Sequence, residues 1–221
     1  EARDRVGGRT VNLDLPGEHV VEGGGEWIGP TQDRIAALAA SLGVTTFPAF
    51  YDGDTTYDIG GTISKGLLPD LAITEGRDFL RVAYALDQAA KGLPKADTWA
   101  APDAAELDAQ TLGAWLHEHA ESDFTHRVFR LITRAIMAGT PERISLLWFL
   151  SYLRWAGGLM PLILNDGGAQ DLRFEGGSQL LSMRLAEALG PRVRLGQPVL
   201  RIEDDPGGPV AVHTPSATYQ A

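Results

Sequence analysis

The sequence contains no cysteine. Disulfides, thiolate metal sites and cysteinyl attachment of a prosthetic group are therefore outside its chemistry. No run of about 18 apolar residues occurs, so no membrane-spanning helix is expected. The charged N-terminal stretch has no apolar core segment, so no secretory signal is expected within these 221 residues, and the sequence reads as cytoplasmic. Basic residues are scarce relative to acidic ones, 19 against 29, giving a formal charge of −10. That balance argues against nucleic acid or an anionic membrane surface as the main partner and is compatible with a cationic substrate. Neither Ser145 nor Ser178 lies in a Gly-x-Ser-x-Gly setting, so nucleophilic hydrolysis has no support. His117 and His119 stand two apart on an expected helix, where their rings point to different faces, and no third ligand has suitable spacing, so no metal site is expected. There are no internal repeats, no low-complexity segments and no G-x-G-x-x-G.

What is present begins at once, in Glu1-Ala-Arg-Asp-Arg-Val-Gly-Gly-Arg-Thr10. A carboxylate at a strand end can accept the ribose hydroxyls of an adenine dinucleotide. Paired glycines let the backbone approach a pyrophosphate, because no Cβ intervenes. An arginine beside them offers a planar fork of donors to phosphate oxygens. Taken alone, Gly7-Gly8-Arg9 fits a charged surface turn equally well.

Patterning predicts short strands over 10–13 and 19–22 around Leu15-Pro16-Gly17, then the run Gly23-Gly24-Gly25, whose backbone must pass close to something. A helix is expected over 32–42, capped by Thr31 and stopped by Gly43. Strands over 44–51, 56–59 and 62–64 follow, the last two joined through Gly60-Gly61. Helices are expected over 70–92, with Leu71, Phe79, Leu80, Ala83 and Leu86 on the apolar face, and over 107–120, 124–138 and 146–155. Trp148 falls in an apolar run read as core. Ser178 is placed as the cap of a further helix closed by Gly190, and 193–195, 198–203, 210–214 and 218–220 read as strands. The change from strand-rich ends to a helical middle divides the chain into 1–46 with 175–221, and an inserted 47–174.

Three stretches together carry a resemblance. They are EARDRVGGRT, the ungapped GGEWIGPTQDRIAALAASLGV starting at Gly24, and the series Gly157-Gly158, Asp166-Gly167-Gly168, Gln170, Phe174, Glu175-Gly176-Gly177-Ser178. They resemble the flavin-containing amine oxidase family, the monoamine and polyamine oxidases. In that family a strand–GxGxxG–helix unit precedes the first stretch. Because this chain begins at Glu1, it reads as an internal piece of a larger enzyme that would be inactive alone.

The resemblance implies an α/β fold: part of an FAD-binding dinucleotide domain with a central parallel sheet and a β-meander, and an inserted, mostly helical substrate domain. It implies FAD as cofactor, without cysteinyl attachment in this segment. Glu1, Ala2, Arg3, Gly8 and Arg9 would meet the ribose and pyrophosphate. Gly24, Gly25, Glu26 and Trp27 would line the flavin, and the backbone of Val199 would meet the adenine. Substrate would be met by Ala135, Ile136, Ile163 and the neutral amide of Gln170, in an apolar lining that favours an uncharged amine. The expected reaction is oxidation of the C–N bond of a small amine to an imine and then an aldehyde, with O2 reoxidising the flavin to give H2O2. The family lysine and aromatic pair find no match here. The Gly-Ala-Met-Arg usual in L-amino-acid oxidases is absent where Gly24-Gly25-Glu26-Trp27 stands, which favours an amine over an amino acid. A homodimer is compatible with the resemblance. The rival reading is a related FAD enzyme acting on C–C bonds, of desaturase or protoporphyrinogen-oxidase type.

Overall fold

The computed structural model describes residues 1–17, 19–59, 61–66, 73–204 and 206–220. Its strands are β1 (Asn12–Leu15), β2 (His19–Glu22), β3 (Trp27–Ile28), β4 (Thr46–Pro48), β5 (Thr55–Ile59), β6 (Thr62–Gly66), β7 (Leu172–Phe174), β8 (Arg201–Glu203), β9 (Ala211–His213) and β10 (Thr218–Gln220). Its α-helices are α1 (Asp33–Ser41), α2 (Ile73–Gly92), α3 (Ala104–Ala109), α4 (Leu112–His119), α5 (Asp123–Met137), α6 (Leu146–Ala156), α7 (Leu159–Ile163) and α8 (Gln179–Leu189). Leu71 and the expected helix start at 70–72, like Gly60 of the expected hairpin turn, lie outside the described residues.

The chain forms two compact units, a contiguous Phe50–Ala169 and a discontinuous Glu1–Ala49 with Gln170–Ala221. These divisions differ by a few residues from those read in the sequence. The reason is a ladder: β4 pairs with β7, Pro48 opposite Leu172, and the Ala49 N–H donates to the Asp171 carbonyl at 2.8 Å. Strands held by such bonds stay in one unit.

In the discontinuous unit, β7 is the middle strand of a three-stranded sheet and is antiparallel to both β3 and β4. β3 and β4 therefore run in the same direction, joined by α1. This is a strand–helix–strand crossover with a third strand inserted between its ends. The expected parallel sheet is accordingly not found among the described residues. The two strands that could pair in parallel are separated by β7, and every strand pair is antiparallel. β8, β9 and β10 form the expected meander. One face of the β3–β7–β4 sheet is covered by α1 and α8, through a core of Ile28, Ala39, Val44, Phe174 and Leu181. Thr31 does not cap α1; Gln32 holds that position without a side-chain bond. Gly43 supplies the left-handed residue after the helix, at φ +67°.

In the contiguous unit, α6 is buried on most of its surface, with Leu146, Phe149, Leu150 and Leu153 at its centre. α2 packs against it with Val82, Leu86 and Ala90, and α5 with Phe129 and Ile132. Leu80 instead points outward, 61% exposed. Trp148 is likewise not core: it is 43% exposed and packs at a tilt against Trp99 and edge-on with Trp155, at centroid distances of 6.0 and 5.9 Å. The single helix expected over 107–120 is two helices. Gln110 and Thr111 are extended and exchange backbone bonds with the segment before α6, Leu146 N–H to Gln110 O and Leu112 N–H to Ile144 O, both 2.8 Å. The Thr111 hydroxyl then caps α4 by accepting from the Ala114 N–H at 3.1 Å. No helix among the described residues is long and apolar enough to cross a membrane.

Asp78, on α2, joins these helices. Its side chain is buried, and Oδ2 accepts from the Thr125 hydroxyl at 2.7 Å, from the Ser122 N–H and hydroxyl at 2.9 Å each, and from the Glu121 N–H at 3.1 Å. Arg81 closes the other oxygen at 2.6 Å. Burial pushes the carboxyl pKa up, but the bonds from Thr125, Ser122 and Arg81 outweigh it and hold it well below the usual carboxylate range. A depressed folded-state pKa contributes stability that is present above the unfolded value, about 3.9, and is lost as pH falls towards the folded one. Asp78→Ala strands several buried donors and is expected to cost about 3 kcal/mol near neutral pH. In urea unfolding followed by circular dichroism, the gap between wild type and variant should narrow below about pH 4. A gap independent of pH would show that the charge of Asp78 does not matter.

Candidate functional site

The discontinuous unit brings the first ten residues against two later segments. Glu1 lies beside residues 194–197: its backbone N donates to Arg194 O at 3.1 Å and its carbonyl accepts from Gln197 N–H at 2.8 Å. Arg3 O accepts from Gly196 N–H at 2.9 Å. Val199, two residues beyond Gln197 and 53% exposed, thereby joins the neighbourhood of Glu1. The Glu1 carboxylate accepts from the Arg3 N–H at 3.0 Å. That bond, with the Arg3 and Arg5 charges adding to it, holds its pKa below the ordinary range. Ala2, between them, is exposed.

The turn Gly7-Gly8 has φ of +102° and +54°. It is closed by Thr10, whose N–H and hydroxyl both reach Gly7 O at 2.8 Å, and by Arg5, which donates to Gly8 O at 3.2 Å. The triple glycine runs alongside it: Gly23 N–H donates to Val11 O at 2.7 Å, and Gly25 N–H to Arg9 O at 3.2 Å. A Cβ on Gly24 would lie 2.0 Å from Arg9 O, whereas a Cβ on Gly8 would meet nothing within 4 Å and one on Gly25 nothing nearer than 3.8 Å. Gly24 is thus explained by close packing of the two segments, while Gly8 and Gly25 have open space where a side chain would stand. Arg9 is exposed, and its side chain makes no hydrogen bond or ion pair among the described residues. An open glycine backbone, a free guanidinium beside it and an anion near Val199 suit a dinucleotide.

Three polar residues that the sequence reading missed hold this arrangement. Gln179, the first residue of α8 and buried, accepts from Asn12 N–H through Oε1 and donates to Val6 O through Nε2, both at 2.7 Å. Ser178 leaves α8 uncapped and donates its hydroxyl to Gly25 O. Arg173 on β7 reaches both Glu22 and Glu26, the latter at 3.2 Å. A helix-cap signature suggests another role for Ser178, and residue spacing alone does not indicate that Arg173 lies opposite Trp27.

Trp27 is 45% exposed on β3. Gln170 is half-buried in the turn before β7. The remaining expected substrate residues belong to the contiguous unit: Ile136 near the end of α5 and Ile163 at the end of α7 are half-buried at the edge of its core, and Ala135 is exposed. His119 stacks flat on Trp115 at 4.0 Å.

A family model described as flavin containing amine oxidoreductase matches residues 1–220, and the chain belongs to that family of oxidoreductase enzymes, whose cofactor is FAD. AofH of Mycobacterium tuberculosis, which bears the name of a flavin-containing monoamine oxidase, is 37% identical over 205 residues, covering 92% of this chain and 45% of its own. The structure superposes on wild-type putrescine oxidase bound to putrescine with a TM-score of 0.90 at 28% identity, and on cyclohexylamine oxidase from Brevibacterium oxydans with 0.89 at 32%. Each match covers all of this chain and 50% of the other. The chain thus spans about half the length of the relatives it matches.

Two glycine substitutions separate the packing role from the open backbone. Gly24→Ala drives a methyl into Arg9 O and is expected to cost several kcal/mol, about 3 or more, by displacing one segment. Gly8→Ala meets open space and is expected to cost about 1 kcal/mol for its positive φ alone. Thermal unfolding of both variants checks the order. Equal losses would contradict the close approach of residues 9 and 24.

Proposed function

We propose that this chain carries much of the cofactor and substrate framework of an FAD-dependent amine oxidase acting on a small amine. The carrying observation is the apposition of the Gly7-Gly8-Arg9 turn with Gly24-Gly25, beside the Glu1–Val199 neighbourhood. In this reading 1–46 and 175–221 are FAD-binding parts of a dinucleotide fold, and 47–174 is the substrate domain. When bound, FAD supplies the two-electron acceptor for oxidation of an amine C–N bond to an imine, which water converts to an aldehyde, and O2 restores the oxidised cofactor with release of H2O2.

The residues of the chain bind, orient and exclude water. Glu1, with Ala2 and Arg3 around it, accepts from the ribose hydroxyls. Gly8 and Arg9 donate backbone and guanidinium N–H groups to the pyrophosphate. The backbone of Val199 borders the adenine. Gly24, Gly25, Glu26 and Trp27 border the flavin. Ala135, Ile136 and Ile163 would supply apolar side chains, which disfavour an ammonium ion over a neutral amine, and the amide of Gln170 would orient an amine without adding charge.

The test is FAD titration of the purified chain and of the longest natural form of the protein, followed by absorbance in the near-ultraviolet and visible range and by anaerobic addition of amines. A flavin spectrum bleached by an amine is expected. Arg9→Ala removes a charge-assisted contact of about 1.5–3 kcal/mol, so FAD affinity should fall about 10- to 100-fold. A longest form that ignores FAD would overturn the proposal, and unchanged affinity in Arg9→Ala would remove Arg9 from the pyrophosphate site.

A further inference from the structure

Arg173 lies at the centre of a row across the outer face of the β3–β7–β4 sheet. It pairs with Trp27 on one side and Phe47 on the other, so the three side chains share a face, opposite the one that buries Ile28 and Phe174. Its guanidinium carbon is 5.9 Å from the centre of the Phe47 ring. From there the same nitrogen reaches Glu22, whose side chain is 2% exposed, and Glu26 at 3.2 Å, 22% exposed. The Nε atom is buried and has no partner. One cation thus serves two carboxylates, on either side of Gly23-Gly24-Gly25.

We infer that Arg173 is a positioning residue for the flavin-bordering stretch Gly24–Trp27, a role that rests on the reading of that stretch given above. Three consecutive glycines have no side chains with which to hold a conformation, and their backbone freedom is the largest of any residue. Glu22 precedes the glycines and Glu26 follows them. Fixing both carboxylates to one planar guanidinium fixes the two ends of the glycine run. Both carboxylates meet one guanidinium nitrogen, and the guanidinium carbon lies 5.9 Å from the Phe47 ring centre; a lysine would keep the point charge but bring no delocalised plane to that ring. Glu26 is thereby occupied by Arg173, so its carboxylate is not a free counter-ion for an incoming ammonium group.

Hydrogen–deuterium exchange by mass spectrometry on the 221-residue chain tests this without cofactor. Arg173→Gln should raise exchange over residues 22–28 about tenfold, a change of about 1.4 kcal/mol in local opening, and leave peptides from α2 and α6 at wild-type rates. Arg173→Lys should recover part of the protection, since it keeps the charge but not the guanidinium plane near Phe47. Should Arg173→Gln fail to fold, Glu26→Gln decides: it leaves the Arg173–Glu22 pair in place and should loosen only 24–28. Wild-type exchange over 22–28 in Glu26→Gln together with Arg173→Gln, or no recovery by lysine in a folded protein, would overturn the role. FAD titration of the same proteins keeps the two readings separate. Loosened exchange in Arg173→Gln, with a wild-type chain that binds no FAD, would sustain the lock on the glycine run and remove the flavin from it.

Discussion

The carboxamide of Gln179 is the contact on which the discontinuous unit turns. With one oxygen and one nitrogen it joins the start of α8 to β1 and to the carbonyl before the Gly7-Gly8 turn. Asn12 returns the link through its own amide, 2.7 Å from Gly176 O. The buried Gln179 amide is favourable only with both ends satisfied, and both of its ends are. Its closeness also explains glycines that a motif reading assigns wholesale to the cofactor. A Cβ on Gly7 would sit 2.8 Å from the Gln179 side chain, and one on Gly177 would sit 2.3 Å from Asn12. Gly7, Gly24 and Gly177 are demanded by protein packing, whereas a Cβ on Gly8 or Gly25 would meet no such obstruction. A single glycine-rich signature therefore mixes two physical requirements that only three-dimensional proximity separates.

Charge is used sparingly and in bridges. Arg173 serves Glu22 and Glu26, Arg81 serves Asp78 and Glu121, and Asp78 also gathers the Thr125 and Ser122 donors. Buried Asp78 is acceptable because several donors converge on it, and buried Glu22 because the Arg173 cation is paired with it. Arg9, alone among these charged groups, is left open beside exposed backbone.

Much of this was legible in the sequence, for identifiable reasons. Strong periodicity and turn residues placed α1, α5, α6, α8, β2 and the meander within a few positions. The resemblance carried by EARDRVGGRT, GGEWIGPTQ and EGGS pointed to the family that the comparisons establish. The failures share a cause. Thr31 and Ser178 have cap chemistry, but Ser178 spends its hydroxyl on Gly25 O, a bond spanning most of the chain. The helix expected over 107–120 breaks because Gln110 and Thr111 pair with residues that follow α5. Trp148 leaves the core for two other indoles. The parallel sheet is interrupted by β7, a strand supplied from far along the chain. Local pattern cannot report a partner that is distant in sequence, and each of these outcomes was decided by one.

The pairing of Pro48 with Leu172, extended by Ala49 to Asp171, has a consequence for how such a chain can change over time. The whole contiguous unit departs from one strand and returns on its hydrogen-bonded neighbour. Closing that gap fixes the ladder in the discontinuous unit whatever lies between, so segments can be lengthened, shortened or exchanged there while the register of β4 and β7 is kept. A framework built in this way can keep one strand ladder through the replacement of its whole insert.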